Sequence, residues 1–388
     1  MLKSRPVISP IVLFCTMIAA AIISCSTPPQ PQTAASATPG PEQVELTASP
    51  FTAGNTAYGF FPSPPEASFE SILNHFESLG EHADFILLQP EVPWTDFVDG
   101  IEGQSKSRED QRNTVALGRQ YGLEFVFVVD PLNGLNRREF KGLPEGWEPS
   151  FGNPDVRRAF TNFALWIVQE FHPPFLGLAS EINTYLDAHP DDVESYMSLY
   201  RQVYQQVKAA APQTQIFVTF QWEDLNNMFE GAAEGRPAFS TNWDQVEAFE
   251  PQLDLWVISS YPYFVFPGSA GIPEDYYTPL LTRTDKPLAV AEGGWSTQAV
   301  GPIPGDAEGQ VAYLRAIHDQ LGGRLIFWTY LLLNDLNMDS IAPNALESGM
   351  SEHDLETLTY FAHLGLRESD GKPKPALALW DSYRRADR

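Results

Sequence analysis

Cysteine is almost absent from this chain. Its 388 residues include only Cys15 and Cys25, both close to the start. Everything after them lacks a disulfide framework and thiol chemistry, so a fold there has to be held by its core. Histidine is scarce as well. The seven histidines form neither an HxH pair nor an HExxH motif, and none stands at the end of an apolar run, which removes the usual zinc arrangements. Positive charge is in short supply: 24 Lys and Arg face 50 Asp and Glu, a net charge of −26. Such a balance disfavours nucleic acid and anionic lipid head groups, and suits a neutral or cationic ligand. No G-x-S-x-G elbow occurs, and the first apolar run, TAYGFFPSPP, carries no glycine-rich phosphate turn.

The first residues, Met-Leu-Lys-Ser-Arg, are basic, and an apolar stretch follows from about Val7 to Ile23. That is the pattern of a secretory signal. Ile22-Ile23-Ser24-Cys25 resembles a bacterial lipobox, which implies cleavage before Cys25, lipid attachment to it and an extracytoplasmic, membrane-anchored protein; an ordinary signal peptide is the alternative. Residues 25–52 are rich in Pro, Ser, Thr and Ala and read as a flexible tether. Residues 53–388 are then a single globular domain, which such a tether would let work as a monomer.

Within that domain eight short apolar runs alternate with segments of helical period. The runs are 56–61, 83–89, 123–130, 175–181, 215–221, 253–261, 287–293 and 324–330. Near-continuous apolar runs are expected of strands covered on both faces, and alternation with helices argues for a parallel sheet. Asn153-Pro154-Asp155 is a helix start, with Phe160, Phe163, Ile167 and Phe171 following at helical spacing. Helices are also expected over Asp191–Ala211, Asp306–Leu321 and Pro373–Arg385, and the long stretch after the eighth run, about 331–372, has room for a helix of its own. Eight units over this length predict a (β/α)8 TIM barrel; a doubly wound open sheet is the alternative.

In such a barrel, function sits where strands run into the following loops. Glu181 ends the fourth run and Glu292 the seventh, on opposite sides of the barrel. Two carboxylates facing each other can cleave a glycosidic bond with retention: one protonates the leaving oxygen, and the other attacks the anomeric carbon from ~5–5.5 Å away. That division of labour needs a raised pKa on the acid and a lowered one on the nucleophile, and Tyr261 is placed to donate its hydroxyl to Glu292. Asp130, Asn183 and Gln221 supply polar groups on the same rim, and Trp94, Trp222, Trp295 and Trp328 supply aromatic faces of the kind that hold neutral sugars. Each glutamate alone fits a solvated loop or helix cap equally well; the argument comes from both together. Asp335-Leu-Asn337-Met-Asp339 resembles the start of a calcium loop, but Ser340 and Leu346 occupy the positions that need Gly and Glu. No metal or other cofactor is expected.

This arrangement resembles the large clan of retaining (β/α)8 glycoside hydrolases with an acid/base on strand four and a nucleophile on strand seven. SSYPYF and the DAEGQVAYLRAI segment ahead of FWTY are similar to the family 53 endo-β-1,4-galactanases. The resemblance implies Glu181 as acid/base, Glu292 as nucleophile, Tyr261 as the tyrosine beside the nucleophile, Trp328 as the floor of the cleaved sugar's subsite, and an oligo- or polysaccharide as partner. Two departures stand out. Ser180 occupies the place of the clan's Asn before the acid/base, a part that Asn183 or Gln221 could take. The clan's Arg near the end of strand two is missing from LLQPEVPW. A glycan-binding lipoprotein without turnover is the rival reading.

Overall fold

The computed structural model describes residues 49–52, 54–229, 239–266, 268 and 271–388; Cys25, the apolar leader and nearly all of the tether lie outside the described residues. The described residues form eleven strands. They are β1 (Ala57–Phe60), β2 (Phe85–Leu88), β3 (Glu124–Val128), β4 (Leu132–Asn133), β5 (Asn136–Phe140), β6 (Phe175–Gly177), β7 (Gln215–Phe217), β8 (Thr219–Gln221), β9 (Trp256–Ser260), β10 (Leu288–Gly293) and β11 (Leu325–Tyr330). All but β4 and β5 belong to one sheet in the order β7-β6-β3-β2-β1-β11-β10-β9-β8. Every ladder in it is parallel. Only Val218 separates β7 from β8, so the two ends of the sheet are one interrupted strand and the sheet closes on itself. The fold is therefore the (β/α)8 barrel, with each of the eight runs supplying one strand.

Aromatic side chains fill the bore. Phe327 of β11 meets Phe85, Phe175 and Phe217 at ring distances of 5.7, 5.3 and 6.0 Å. Two strand glycines make room for them. A Cβ on Gly59 would lie 2.5 Å from the Phe85 ring, and one on Gly177 would lie 2.9 Å from Phe217. Phe51 caps this cluster, with its ring 5.4 Å from Phe85 and 5.1 Å from Phe175.

The helices follow their sequence signals. Pro154–Phe171 begins where Asn153 Oδ1 accepts the Asp155 N–H at 3.0 Å, and it buries Phe160, Phe163, Ile167 and Phe171. Val193–Ala210 turns Tyr196, Tyr200, Val203 and Val207 inward. Ala307–Leu321 and Pro375–Ala386 close the seventh and eighth units. The segment after β11 holds two helices, Met338–Glu347 and Glu352–Thr359, where the sequence left room for one. An antiparallel hairpin, β4–β5, is inserted directly after β3.

Candidate active site

The site is built from strand ends and this hairpin. β6 stops at Gly177, and the chain turns inward until Glu181, which has φ 49° and precedes the helix Ile182–Ala188. A left-handed backbone is costly for a residue with a side chain. It is secured here by the Glu181 N–H, which donates to Thr219 Oγ1 at 2.7 Å. Ser180, the departure from the clan pattern, shares a 3.1 Å hydroxyl contact with the same threonine. Glu292 lies within β10, at a shift of register against β9 that pairs it with Ser259.

A single guanidinium joins the two glutamates. Arg137, on β5, donates through Nε to Glu181 Oε2 at 3.1 Å and through Nη1 to Asp130 Oδ2, and its Nη2 lies 3.8 Å from Glu292 Oε2. Ser259 also donates to Glu181, through a hydrogen bond to Oε1. Tyr261 donates its hydroxyl to Glu292 Oε1 at 2.9 Å. Gln89 donates to Asp130 at 2.8 Å. Arg137, Glu181 and Glu292 are all 0% exposed. Glu292 Oε2 has no hydrogen-bond partner.

Three carboxylates around one guanidinium leave charge uncompensated in a dry interior, and the proton affinities respond. Burial pushes the Glu181 carboxyl up to about 8, against the opposing pull of Arg137 and Ser259. Burial, reinforced by the charge of Glu181, holds Glu292 well above the ordinary carboxylate range, and Arg137 and Tyr261 offset only part of this. The sequence expectation of a lowered nucleophile is therefore not met. Tyr261 does pull in that direction, but loss of water outweighs it. The two groups titrate as a unit, and burial favours the protonated form of both.

Behind the pair stands a further buried carboxylate, Glu223. It accepts from Gln221 Nε2 at 2.6 Å, Ser260 Oγ at 2.6 Å, the Tyr261 N–H at 3.0 Å and Tyr276 OH at 3.1 Å. Glu223 thereby fixes the backbone of the tyrosine that serves Glu292.

Several expected site residues play other parts. Trp328 corrects the subsite-floor expectation. Side chains alternate along a strand, and Phe327 takes the bore, so Trp328 faces the helix layer. Its ring lies 5.1 Å from Trp380 of the last helix and 5.8 Å from Tyr58. Asn183 and Gln221 are committed to each other: Asn183 Oδ1 accepts the Gln221 N–H at 2.8 Å, and Asn183 Nδ2 donates to the Gln221 carbonyl and to Asp224. Gln221 Oε1 also caps the next helix by accepting the Asp224 N–H at 2.6 Å. Neither amide is left to hold a sugar hydroxyl.

The remaining tryptophans are packed rather than presented. Trp94 donates to the Lys141 carbonyl at 2.7 Å and lies against Phe140, so it anchors the hairpin. Trp222 sits among Trp243, Tyr276 and Tyr277. Trp295 is pressed onto Gly309, where a Cβ would clash with its ring. Asp130 belongs to the charged cluster, as the second anchor of Arg137.

Arg137, Ser259 and Glu223 carry no sequence expectation. A signal for Arg137 existed: the Asn133-Gly134 dipeptide between Leu132 and Asn136-Arg137 is a hairpin turn signature. Folding back there brings an arginine to the mouth from the loop after strand three, where the clan pattern has one near the end of strand two.

The fold defines a class, the TIM barrels. No family model matches the chain, and no curated protein matches it. Among solved structures it is similar to an exo-β-1,4-mannosidase from an Opitutaceae bacterium, at 14% identity and a TM-score of 0.61, covering 89% of this chain and 62% of that one. It is also similar to a GH5_18 protein from Bifidobacterium longum in complex with Manβ1-4GlcNAc, at 16% identity and a TM-score of 0.60, covering 85% and 78%. A family 39 glycoside hydrolase from Bacteroides cellulosilyticus follows at 16% identity and a TM-score of 0.52, covering 85% and 64%. At these identities the likeness is one of fold, and the chain spans less than two thirds of the mannosidase's length.

Proposed function

We propose that this protein is a glycoside hydrolase that cleaves a neutral β-linked glycan by retaining double displacement. The observation that carries the reading is the buried pair Glu181, just beyond the fourth barrel strand, and Glu292, near the end of the seventh, joined by one guanidinium. That the barrels it resembles include a mannosidase and a family 39 glycoside hydrolase supports it further.

In the first step Glu181 gives its proton to the glycosidic oxygen, and the bond from that oxygen to the anomeric carbon breaks. A Glu292 oxygen bonds to the same carbon, forming a glycosyl–enzyme ester. In the second step Glu181 takes a proton from water, the water oxygen bonds to the anomeric carbon, and Glu292 leaves as the carboxylate. Glu292 Oε2, the oxygen without a partner, is the natural attacking atom.

The resting proton distribution runs against this order. Arg137 and Ser259 both donate to Glu181, whereas only Tyr261 donates to Glu292, so the last shared proton rests on Glu292. Turnover needs it on Glu181. A substrate that draws Arg137 away from Glu181 and towards Glu292 moves the proton in the productive direction.

The test is hydrolysis of aryl β-mannosides, β-glucosides and β-galactosides by the wild type and by Glu181→Ala, with azide added. Turnover in the wild type that is lost in the variant and restored by azide as a β-glycosyl azide supports retention and the assigned roles. A glycan-binding protein without turnover is the second reading, favoured by the full burial of both glutamates. Saturable glycan binding with no hydrolysis would select it.

We further propose attachment through a lipid on Cys25, supported by the apolar stretch and the Ser24-Cys25 junction. The chain should move from the membrane fraction to the soluble fraction in Cys25→Ala.

A further inference from the structure

Three consecutive residues at the end of β9 each serve a different buried glutamate. Ser259 donates to Glu181, Ser260 Oγ to Glu223 Oε1 at 2.6 Å, and Tyr261 OH to Glu292 Oε1 at 2.9 Å. Successive side chains of a strand point to opposite sides. Ser259 and Tyr261 thus reach the candidate pair, and Ser260 turns the other way, to Glu223. Glu223 is fully buried in the short helix Trp222–Leu225, and none of its hydrogen bonds goes to Glu181 or Glu292.

The bonds of Glu223 divide evenly. Oε1 accepts from the hydroxyls of Ser260 and Tyr276, and Oε2 accepts from Gln221 Nε2 at 2.6 Å and the Tyr261 N–H at 3.0 Å. Gln221 Oε1 is taken by the Asp224 N–H, which fixes the end of the amide that faces Glu223. Both groups at Oε2 can therefore only donate, and Oε2 acts as an acceptor alone. All four partners are neutral. Burial favours a proton on Glu223, and Ser260, the Tyr261 N–H and Gln221 oppose it. Through Gln221 the same carboxylate reaches the other half of the pair. The Gln221 N–H and carbonyl are both bonded to Asn183, at 2.8 and 3.2 Å, in the helix that starts directly after Glu181.

We propose that Glu223 is a positioning residue for the reaction at Glu181 and Glu292: its Oε2 holds the Tyr261 backbone so that the phenol stays on Glu292. The kinetic consequence rests on the retaining-hydrolase reading; the hold on Tyr261 does not. What matters at position 223 is an acceptor facing the Tyr261 N–H. Glutamine can supply it, because its carbonyl can take the place of Oε2 while its NH2 faces Ser260 and Tyr276, whose hydroxyls accept as well as donate. Methionine, of similar length, cannot.

The test uses the full chain in detergent, labelled at the tyrosine Cζ carbons, with two readouts. The first is the Tyr261 resonance, identified by its loss in Tyr261→Phe. In the wild type it should move as the glutamate pair releases its protons. Glu223→Met should shift it and remove that pH response, and Glu223→Gln should keep both. The second is hydrolysis of aryl β-glycosides. Glu223→Met should lower kcat per folded molecule by about 10–100-fold with KM little changed, and Glu223→Gln should recover most of the loss. Glu223→Asp, one methylene shorter, withdraws the acceptor and gives the same readouts if the methionine variant does not fold. A Tyr261 resonance unmoved in Glu223→Met, a variant that loses stability but keeps kcat, or a glutamine variant no better than methionine would each overturn the proposal. A wild type without turnover would sink the hydrolase reading, and the Tyr261 resonance would still decide whether Glu223 holds the tyrosine.

Discussion

The two ends of this barrel treat buried charge in opposite ways. At the base Asp84 is matched. Its Oδ2 accepts the Tyr58 N–H at 3.0 Å, and its Oδ1 accepts from Arg384 Nε at 2.9 Å and Arg388 Nε at 3.1 Å. One carboxylate there has two guanidinium groups and a backbone donor, and the arrangement pins the end of the last helix to β1 and β2. At the mouth the ratio is inverted, with three carboxylates sharing Arg137 and one oxygen left bare. A fully paired cluster lowers the energy of the fold. An under-compensated one raises it and is tolerated where reactivity is needed. The imbalance, more than the presence of carboxylates, distinguishes the candidate active end from the structural end.

That contrast can be broken most sharply by one substitution at each end. Glu292→Gln should reduce aryl β-glycoside hydrolysis by several orders of magnitude while leaving the thermal midpoint unchanged or higher. Asp84→Asn should do the reverse, costing about 3–5 kcal/mol in denaturant titrations because the buried Arg384 loses its partner, with kcat per folded molecule preserved. If both variants lose stability and keep activity, the mouth is structural after all.

Arg137→Met probes the inversion itself. Removing the one cation should cost both stability, by about 3–5 kcal/mol, and activity. It should also move the pH profile. In the wild type the ascending limb of kcat/KM should lie above the ordinary carboxylate range, because burial and the charge of Glu181 hold the proton on Glu292 and the nucleophile must be ionised. Arg137 opposes that rise, so the variant's limb should lie higher still.

The same sign governs stability. Glu181 is raised from 4.5 to about 8, so the folded state binds protons that the unfolded chain releases; its contribution is fully present below pH 4.5 and is lost as pH rises towards about 8. A wild-type stability that instead climbs across this window, while Arg137→Met abolishes the climb, would place the net charge balance on the other side.

Smaller effects sharpen the picture. Tyr261→Phe removes one hydrogen bond to Glu292 and should lower kcat by about 10–100-fold with little change in the thermal midpoint. Trp328→Phe should cost about 1–2 kcal/mol of stability through lost packing on Trp380 and leave KM unchanged. A large rise in KM would return Trp328 to the sugar site.

The strands were legible because a strand covered on both faces leaves an apolar run whatever its neighbours are. All eight runs hold a barrel strand, although the fifth is broken at Val218. Glu181, Glu292 and Tyr261 were legible because their positions follow from where those runs stop. Trp328 was misplaced because motif order does not encode which face of a strand a side chain takes; that depended on Phe327 claiming the bore. Asn183 and Gln221 looked available because their mutual bonds span 38 residues of sequence. Arg137 escaped because its hairpin pairs a strand of only two residues, too short to leave a period, and its contacts with Glu181 and Glu292 exist only once the barrel has closed.

Closure has a consequence for how the chain meets other copies of itself. β1 pairs with β11, and β7 and β8 join the remaining ends, so the main sheet offers no open edge to another molecule. Open edges are the templates on which strands of different chains add to one another and grow into aggregates. The described residues expose such edges only along β4 and β5, and β5 carries Arg137 and Arg138, the kind of charge that discourages stacking. A barrel without cysteines thus resists self-association by its topology. Partly unfolded forms, in which β1 and β11 have parted, are where aggregation should begin.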